Sequence, residues 1–138
     1  MNKKGKIKAP LLNIGGKVGL PTTIEVPKFE HPVFCFKHLH KDHCLEQCET
    51  ADKLAFIERV VKLSSLTWDT IRISQRHGFG YEKIKRTSIK PSVPNSITED
   101  VDDFLAFRFS GKKPMLGFKT QFIFHIVYID SKFSVYDH

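Results

Sequence analysis

The sequence predicts an α+β fold of order β-α-α-β-β-β-β, in which an αα-hairpin packs on a curved C-terminal antiparallel sheet. Three observations predict it. Leu54, Ile57 and Val61 recur at helical spacing, with Phe56, Val60 and Leu63 widening the stripe. From Phe104 onward, Phe, Ile, Val and Tyr dominate four short segments separated by turn residues. The connections between those segments are too short for a crossover, so neighbouring strands must run antiparallel.

The elements follow in order. Residues 1–30 are rich in Lys, Gly, Pro and Thr without apolar periodicity, which reads as a flexible basic arm ahead of a single domain over residues 31–138. Val33-Phe34-Cys35-Phe36 gives a first strand at about 33–38, bounded by Pro32 and by a polar stretch. Thr50 can cap a first helix over 51–64. Ser65 and Thr67 offer caps for a shorter second helix carrying Leu66, Trp68, Ile71 and Ile73 and ending before His77-Gly78. Residues 78–103 hold Gly78, Gly80, Pro91, Pro94 and an acidic run, a loop composition in which part of Tyr81–Ile84 could be ordered. The sheet strands are then 104–109, 115–119, 122–129 and 133–137.

With 138 residues, 41% of them hydrophobic, the chain needs no metal or disulfide to fold. Twenty-two Lys and Arg against 15 acids give a net charge of +7, so anionic partners are favoured. No Walker loop, nucleophile elbow, HExxH or EF-hand loop is present, and no cofactor is implied. The longest apolar stretch, Phe122 to Ile129, is interrupted by His125 and far shorter than the roughly 20 residues a membrane span needs. There is no secretory signal pattern, and three cysteines leave an odd thiol, so a reducing cytoplasm is the expected compartment.

Strand parity yields a candidate site. Turns at 110–114, Thr120-Gln121 and Ser131-Lys132 put Arg108 opposite Leu116, Leu116 opposite His125, and His125 near His138. Arg108, His125, Tyr136 and His138 then share the open concave face. Phe107, Phe109, Phe122, Phe124, Tyr128, Phe133 and Val135 face the helices. A guanidinium that holds phosphate, beside imidazole and phenol groups that move protons, suits metal-independent cleavage of RNA through its 2′-hydroxyl. The alternative is an amphipathic chain end with a solvated Arg108 and a hydrogen-bonded His125.

Arg76, His77, Tyr81 and Lys83, continued by Lys85, Arg86 and Lys90, form a basic lip with a ring on which a base could stack. Helix C-terminal electrostatics explain Arg76 and His77 equally well. Cys35, His38, His40, His43, Cys44 and Cys48 fall within 14 residues. Their spacing lacks the two separated knuckles of a structural zinc site, so no metal is assigned; Cys35 is expected in the core, Cys44 and Cys48 in local packing, and the histidines in a solvated turn.

The element order, with Arg108, Lys119, Tyr136 and His138 late in the chain, resembles the RelE/ParE/HigB-like toxin superfamily over about residues 32–138. Through Arg76-His77-Gly78-Phe79-Gly80-Tyr81-Glu82, Ile97-Thr98-Glu99-Asp100, Leu105-Ala106-Phe107-Arg108-Phe109 and Gly117-Phe118 to Tyr136-Asp137-His138, the chain also resembles a family of small, poorly characterised bacterial proteins. The toxin resemblance implies ribosome-dependent or free mRNA cleavage and a neutralising antitoxin. It implies a sheet-face site at Arg108, Tyr136 and His138, with Lys119 on the other face by the register above. Two other functions compete with this endoribonuclease. One is a non-catalytic nucleic-acid or ribosome-binding module, and the other is a protein-interaction domain of a mobile-element or defence system. The oligomeric state is left open.

Overall fold

The computed structural model describes residues 30–138, so the arm lies outside the described residues except for Glu30. The elements are β1 (Val33–Cys35), α1 (Thr50–Ser64), α2 (Trp68–Ile73), β2 (Tyr81–Lys85), β3 (Asp103–Ser110), β4 (Lys113–Thr120) and β5 (Ile123–Ile129). They form one five-stranded sheet of order β1-β5-β4-β3-β2, with two helices on one face. This is the α+β class and the β-α-α-β-β-β-β order expected. The sheet is mixed rather than wholly antiparallel, because β1 pairs parallel with β5.

Two strands differ from expectation. Tyr81–Lys85 is a full edge strand, antiparallel to β3. Residues 133–137 are not a strand at all. After β5 the buried carboxylate of Asp130 accepts from the backbone N–H of Ser134 at 2.8 Å and of Val135 at 3.0 Å. Phe133 takes φ of 57°, and Val135 and Tyr136 are buried in the sheet face opposite the helices. Side-chain capture of the backbone replaces ladder pairing there.

Tight turns shift the register. Gly111-Lys112 and Gln121-Phe122 are two-residue connections, with Gly111 and Gln121 at positive φ. Arg108 is therefore opposite Pro114 rather than Leu116, and His125 is opposite Phe118. A bulge follows, since Leu116 pairs with Tyr128 while Gly117 pairs with Ile126, leaving Val127 as the extra residue.

The sheet buries both faces. On the helix side Phe56, Leu63 and Ile71 are fully buried against Phe107, Met115, Phe124 and Ile126. Each such side chain contributes about 1.5–3 kcal/mol of transfer free energy. The inward face of α1 is Asp52, Phe56 and Leu63; Leu54, Ile57 and Val61 point outward and are exposed, reversing the stripe expected. The Lys113 ammonium donates to both Asp52 oxygens and ties the start of α1 to β4. Thr67 caps α2, its hydroxyl accepting from the Thr70 N–H at 3.0 Å. Trp68 bonds its amide to the Glu30 carbonyl and its indole N–H to the Phe122 carbonyl, which fastens the start of the described chain to the helix layer.

The second face was expected to lie open. It is covered by residues 86–101, through Ile89, Val93, Ile97 and Val101, and by the C-terminal segment through Val135 and Tyr136. Tyr128 and Val135, expected against the helices, belong to this second core, and Phe133 is 43% exposed. Beyond β1 the outer edge of β5 is closed by the His40–His43 turn. His40 N–H bonds the Val127 carbonyl and Ile129 N–H bonds the His43 carbonyl, both at 2.7 Å.

Candidate functional site

The observed register distributes the four proposed catalytic residues over two ends of one face. Arg108 and His125 stand opposite Pro114 and Phe118 of β4, four residues apart, which is about 13 Å along a strand. Leu116 and Tyr128 fill the space between them.

At the upper end Tyr136 and His138 lie together, with Arg108 in electrostatic range of the Tyr136 phenol. The Tyr136 and His138 rings are 4.3 Å apart, Phe133 packs edge-on to His138, and His138 Nε2 is 4.0 Å from Asp130. Burial pushes the Tyr136 phenol up to about 12, with Glu82 and Asp130 raising it and Arg108 and Arg76 lowering it. At neutral pH the phenol is therefore protonated and can donate but not act as a base. His138 is the more accessible ring of the pair, its side chain 33% exposed. Arg76, Arg108, Glu82 and Asp130 nearly cancel in charge, so this end is polar without being strongly positive.

At the lower end His125 stacks on Phe118, with ring centroids 4.5 Å apart, and meets His38 edge-on at 5.5 Å. Its Nε2 bonds the Thr120 hydroxyl, and its Nδ1 is buried without a hydrogen-bond partner. Nδ1 is closed to a substrate, and Nε2 is engaged by the Thr120 hydroxyl at the exposed rim. His38 Nδ1 in turn bonds the Ser96 hydroxyl, pinning the covering loop, and His40 stacks on Tyr128. Burial likewise pushes the Tyr128 phenol up to about 12, and its hydroxyl donates to the Ser92 carbonyl. These histidines are packed against the sheet, where a solvated turn was expected. A sequence window cannot show this, because Phe118, Tyr128 and Ser96 come from distant segments.

The basic lip is divided in the same way. Arg76 pairs with Glu82 at 3.2 Å and Lys85 with Asp103 at 3.0 Å. Lys90 pairs with Asp137, and Arg86 donates to the Thr98 and Val101 carbonyls. The Tyr81 ring packs on Phe107 instead of offering a stacking surface. Lys119 is on the helix side, above the Trp68 ring. His77 and Lys83 are exposed. Arg59, Lys62 and Phe79 were not singled out by the sequence, yet they line a groove beside α1. The Arg59/Lys62 spacing on one helix flank was the available signal.

Among the described residues no three His, Cys, Asp or Glu side chains come together as a metal centre. Cys48 is buried with its thiol directed to the Cys44 carbonyl, and Cys35 is half-buried beside His125 in the β1/β5 register. No helix of the described residues is long and apolar enough to cross a membrane.

The chain matches no protein-family model, no curated protein and no solved structure.

Burial is the first cause that lowers the pKa of His38, His40 and His125 below the ordinary 6.5. Lys37 adds to it at His38, His43 at His40, and His38 at His125. The fold thus prefers all three imidazoles neutral. Their contribution is complete above pH 6.5 and is lost as the pH falls below it, because the unfolded chain then binds more protons. Urea midpoints should fall between pH 7 and pH 5, before the carboxylates of Asp100 and Asp137, held below 3.8 chiefly by side-chain hydrogen bonds, begin to titrate. In the double variant His38→Gln/His125→Gln that decline should be shallower; an unchanged slope would show that these two rings do not carry it.

Proposed function

We propose that the chain is a sequence-tolerant RNA-binding module that holds phosphates and breaks no bond. The observation that carries this reading is the segregation of charge. Residues 1–29 hold six of the 22 Lys and Arg and one of the 15 acids, so they account for +5 of the net +7. In the folded part several cations are neutralised by Asp and Glu. Dense positive charge on a short stretch binds a polyanion by releasing its counterions, with no requirement for base readout. The separation of Arg108 from His125, the burial of His125 Nδ1 and the engagement of its Nε2 by Thr120 favour binding over cleavage.

One observation favours a second reading. Arg108, Tyr136 and His138 still converge, and His138 is accessible. A RelE-like endoribonuclease acting on free or ribosome-bound mRNA, held in check by an antitoxin, would use Arg108 on the phosphate and His138 as the proton carrier. The two readings separate in one experiment. After incubation with RNA in EDTA, the binding reading expects a salt-sensitive gel shift and full-length RNA recovered. Fragments that disappear on Arg108→Ala or His138→Ala would replace it with the nuclease.

A further inference from the structure

On the helix side of the molecule Ala55, Arg59 and Lys62 form one flank of α1, facing the loop that joins α2 to β2. Gly80 shapes this loop. A Cβ there would fall on the Ser74 carbonyl oxygen and within 2.8 Å of the Gln75 carbonyl, so only glycine lets the chain double back so closely. The N–H groups of Gly78 and Gly80 both bond the Gln75 carbonyl at 2.9 Å. The folded loop then presents its Gly78 carbonyl and Phe79 ring to the helix. Arg59 Nη1 donates to that carbonyl at 2.9 Å, and its guanidinium lies 4.9 Å from the Phe79 centroid. Between them is a groove of about 190 Å³, lined by Ala55, Glu58, Arg59, Lys62, Phe79 and Phe109.

The guanidinium in this groove is set apart by its surroundings. Arg72 and Arg76 each have a carboxylate, and Arg86 Nη1 donates to two carbonyls; Arg108 like Arg59 pairs with no carboxylate among the described residues, but only Arg59 lines a groove with a second cation. Arg59 has no carboxylate within ion-pair distance among the described residues, although burial depresses its pKa. A partly desolvated cation on an aromatic and aliphatic floor, with most of its five donors uncommitted, has the chemistry to bind an anion. Lys62, one turn further along α1, adds a second positive charge, while Glu58 on the rim disfavours a second anionic group. The volume is below the roughly 300 Å³ at which whole-ligand pockets begin, so it suits one tetrahedral group and not a nucleotide.

We propose that this groove seats a single backbone phosphate of bound RNA, gripped by the Arg59 fork and assisted by Lys62. The inference rests on the RNA-binding reading and adds to it a fixed docking point on the folded domain, on the face opposite Arg108, Tyr136 and His138.

The test uses the full chain and a 12-residue oligouridylate. In the unmodified protein, the Arg59 side-chain NεH resonance should shift along the same isotherm as total binding. Arg59→Gln should weaken binding about five- to tenfold near 0.1 M salt and make the salt slope shallower by about 0.7, the share of one phosphate contact on a single strand. Arg59→Lys should recover the slope but only part of the affinity, because the charge returns without the fork. If Arg59→Gln fails to fold, the exposed Lys62→Gln and the resonance shift still report. An Arg59 resonance that stays put while RNA binds, with Lys62→Gln binding as the parent does, would overturn the phosphate seat and leave the RNA-binding reading intact. Absence of any RNA binding by the parent chain would overturn both.

Discussion

Gly117→Ala is expected to be among the most damaging single-methyl substitutions in the protein, lowering the stability by about 3 kcal/mol. A Cβ at this position would fall on the His125 carbonyl oxygen, 2.8 Å from the His125 carbonyl carbon and 2.9 Å from the Phe124 ring. The oxygen belongs to the neighbouring strand at the bulge and cannot retreat without undoing the β4/β5 pairing. A loss of this size is a large fraction of the 5–15 kcal/mol that ordinary domains possess. Gly111→Ala supplies the control. Nothing lies within 4 Å of a Cβ there, and the cost is the left-handed φ of 57°, about 1 kcal/mol. Urea denaturation of the two variants should rank them widely apart; equal midpoints would mean that the bulge is not as close-packed as described.

Replacing Lys3, Lys4, Lys6, Lys8, Lys17 and Lys28 together by Gln should have the largest effect on binding. The change removes six positive charges, all at positions before Glu30. Single-stranded RNA contributes a salt slope of about −0.7 per neutralised phosphate, so the variant should lose about 4 from the slope and at least about a hundredfold in affinity near 0.1 M salt. Its thermal unfolding is to be measured alongside, so that a loss of binding is not confused with a loss of fold. An unchanged RNA affinity would transfer the binding to the cations of the folded domain.

The fold class was legible in the sequence because it depends on periodicity, which is local. The Phe-rich strands and the capped helices needed only their own neighbours to be read. Register was not legible to the same degree. Two-residue turns at Gly111-Lys112 and Gln121-Phe122, and one extra residue at Phe109, moved Arg108 and His125 to opposite ends of the face. Residues 133–137 alternate like a strand, yet Asp130, upstream of them, takes the amides of Ser134 and Val135. Tyr81–Lys85 reads as loop by its glycine neighbours and becomes a strand because β3 offers it an edge. The outward stripe of α1 was misassigned for a related reason: helical spacing is satisfied by both Phe56/Leu63 and Leu54/Ile57/Val61, and only the sheet decides which turns inward. Arg59 escaped notice because its meaning comes from Phe79 and the Gly78 carbonyl, some twenty residues away.

In the proposed reading charge, and not a catalytic constellation, carries the function of this protein. The direct measurement is the affinity of the full chain for a 12-residue oligouridylate as a function of salt. The expected result is binding whose logarithm falls against log[salt] with a slope of about −4 or steeper, so that affinity drops on the order of a few hundredfold between about 50 and 200 mM. No binding at low salt, or an affinity that does not change over that range, would contradict it.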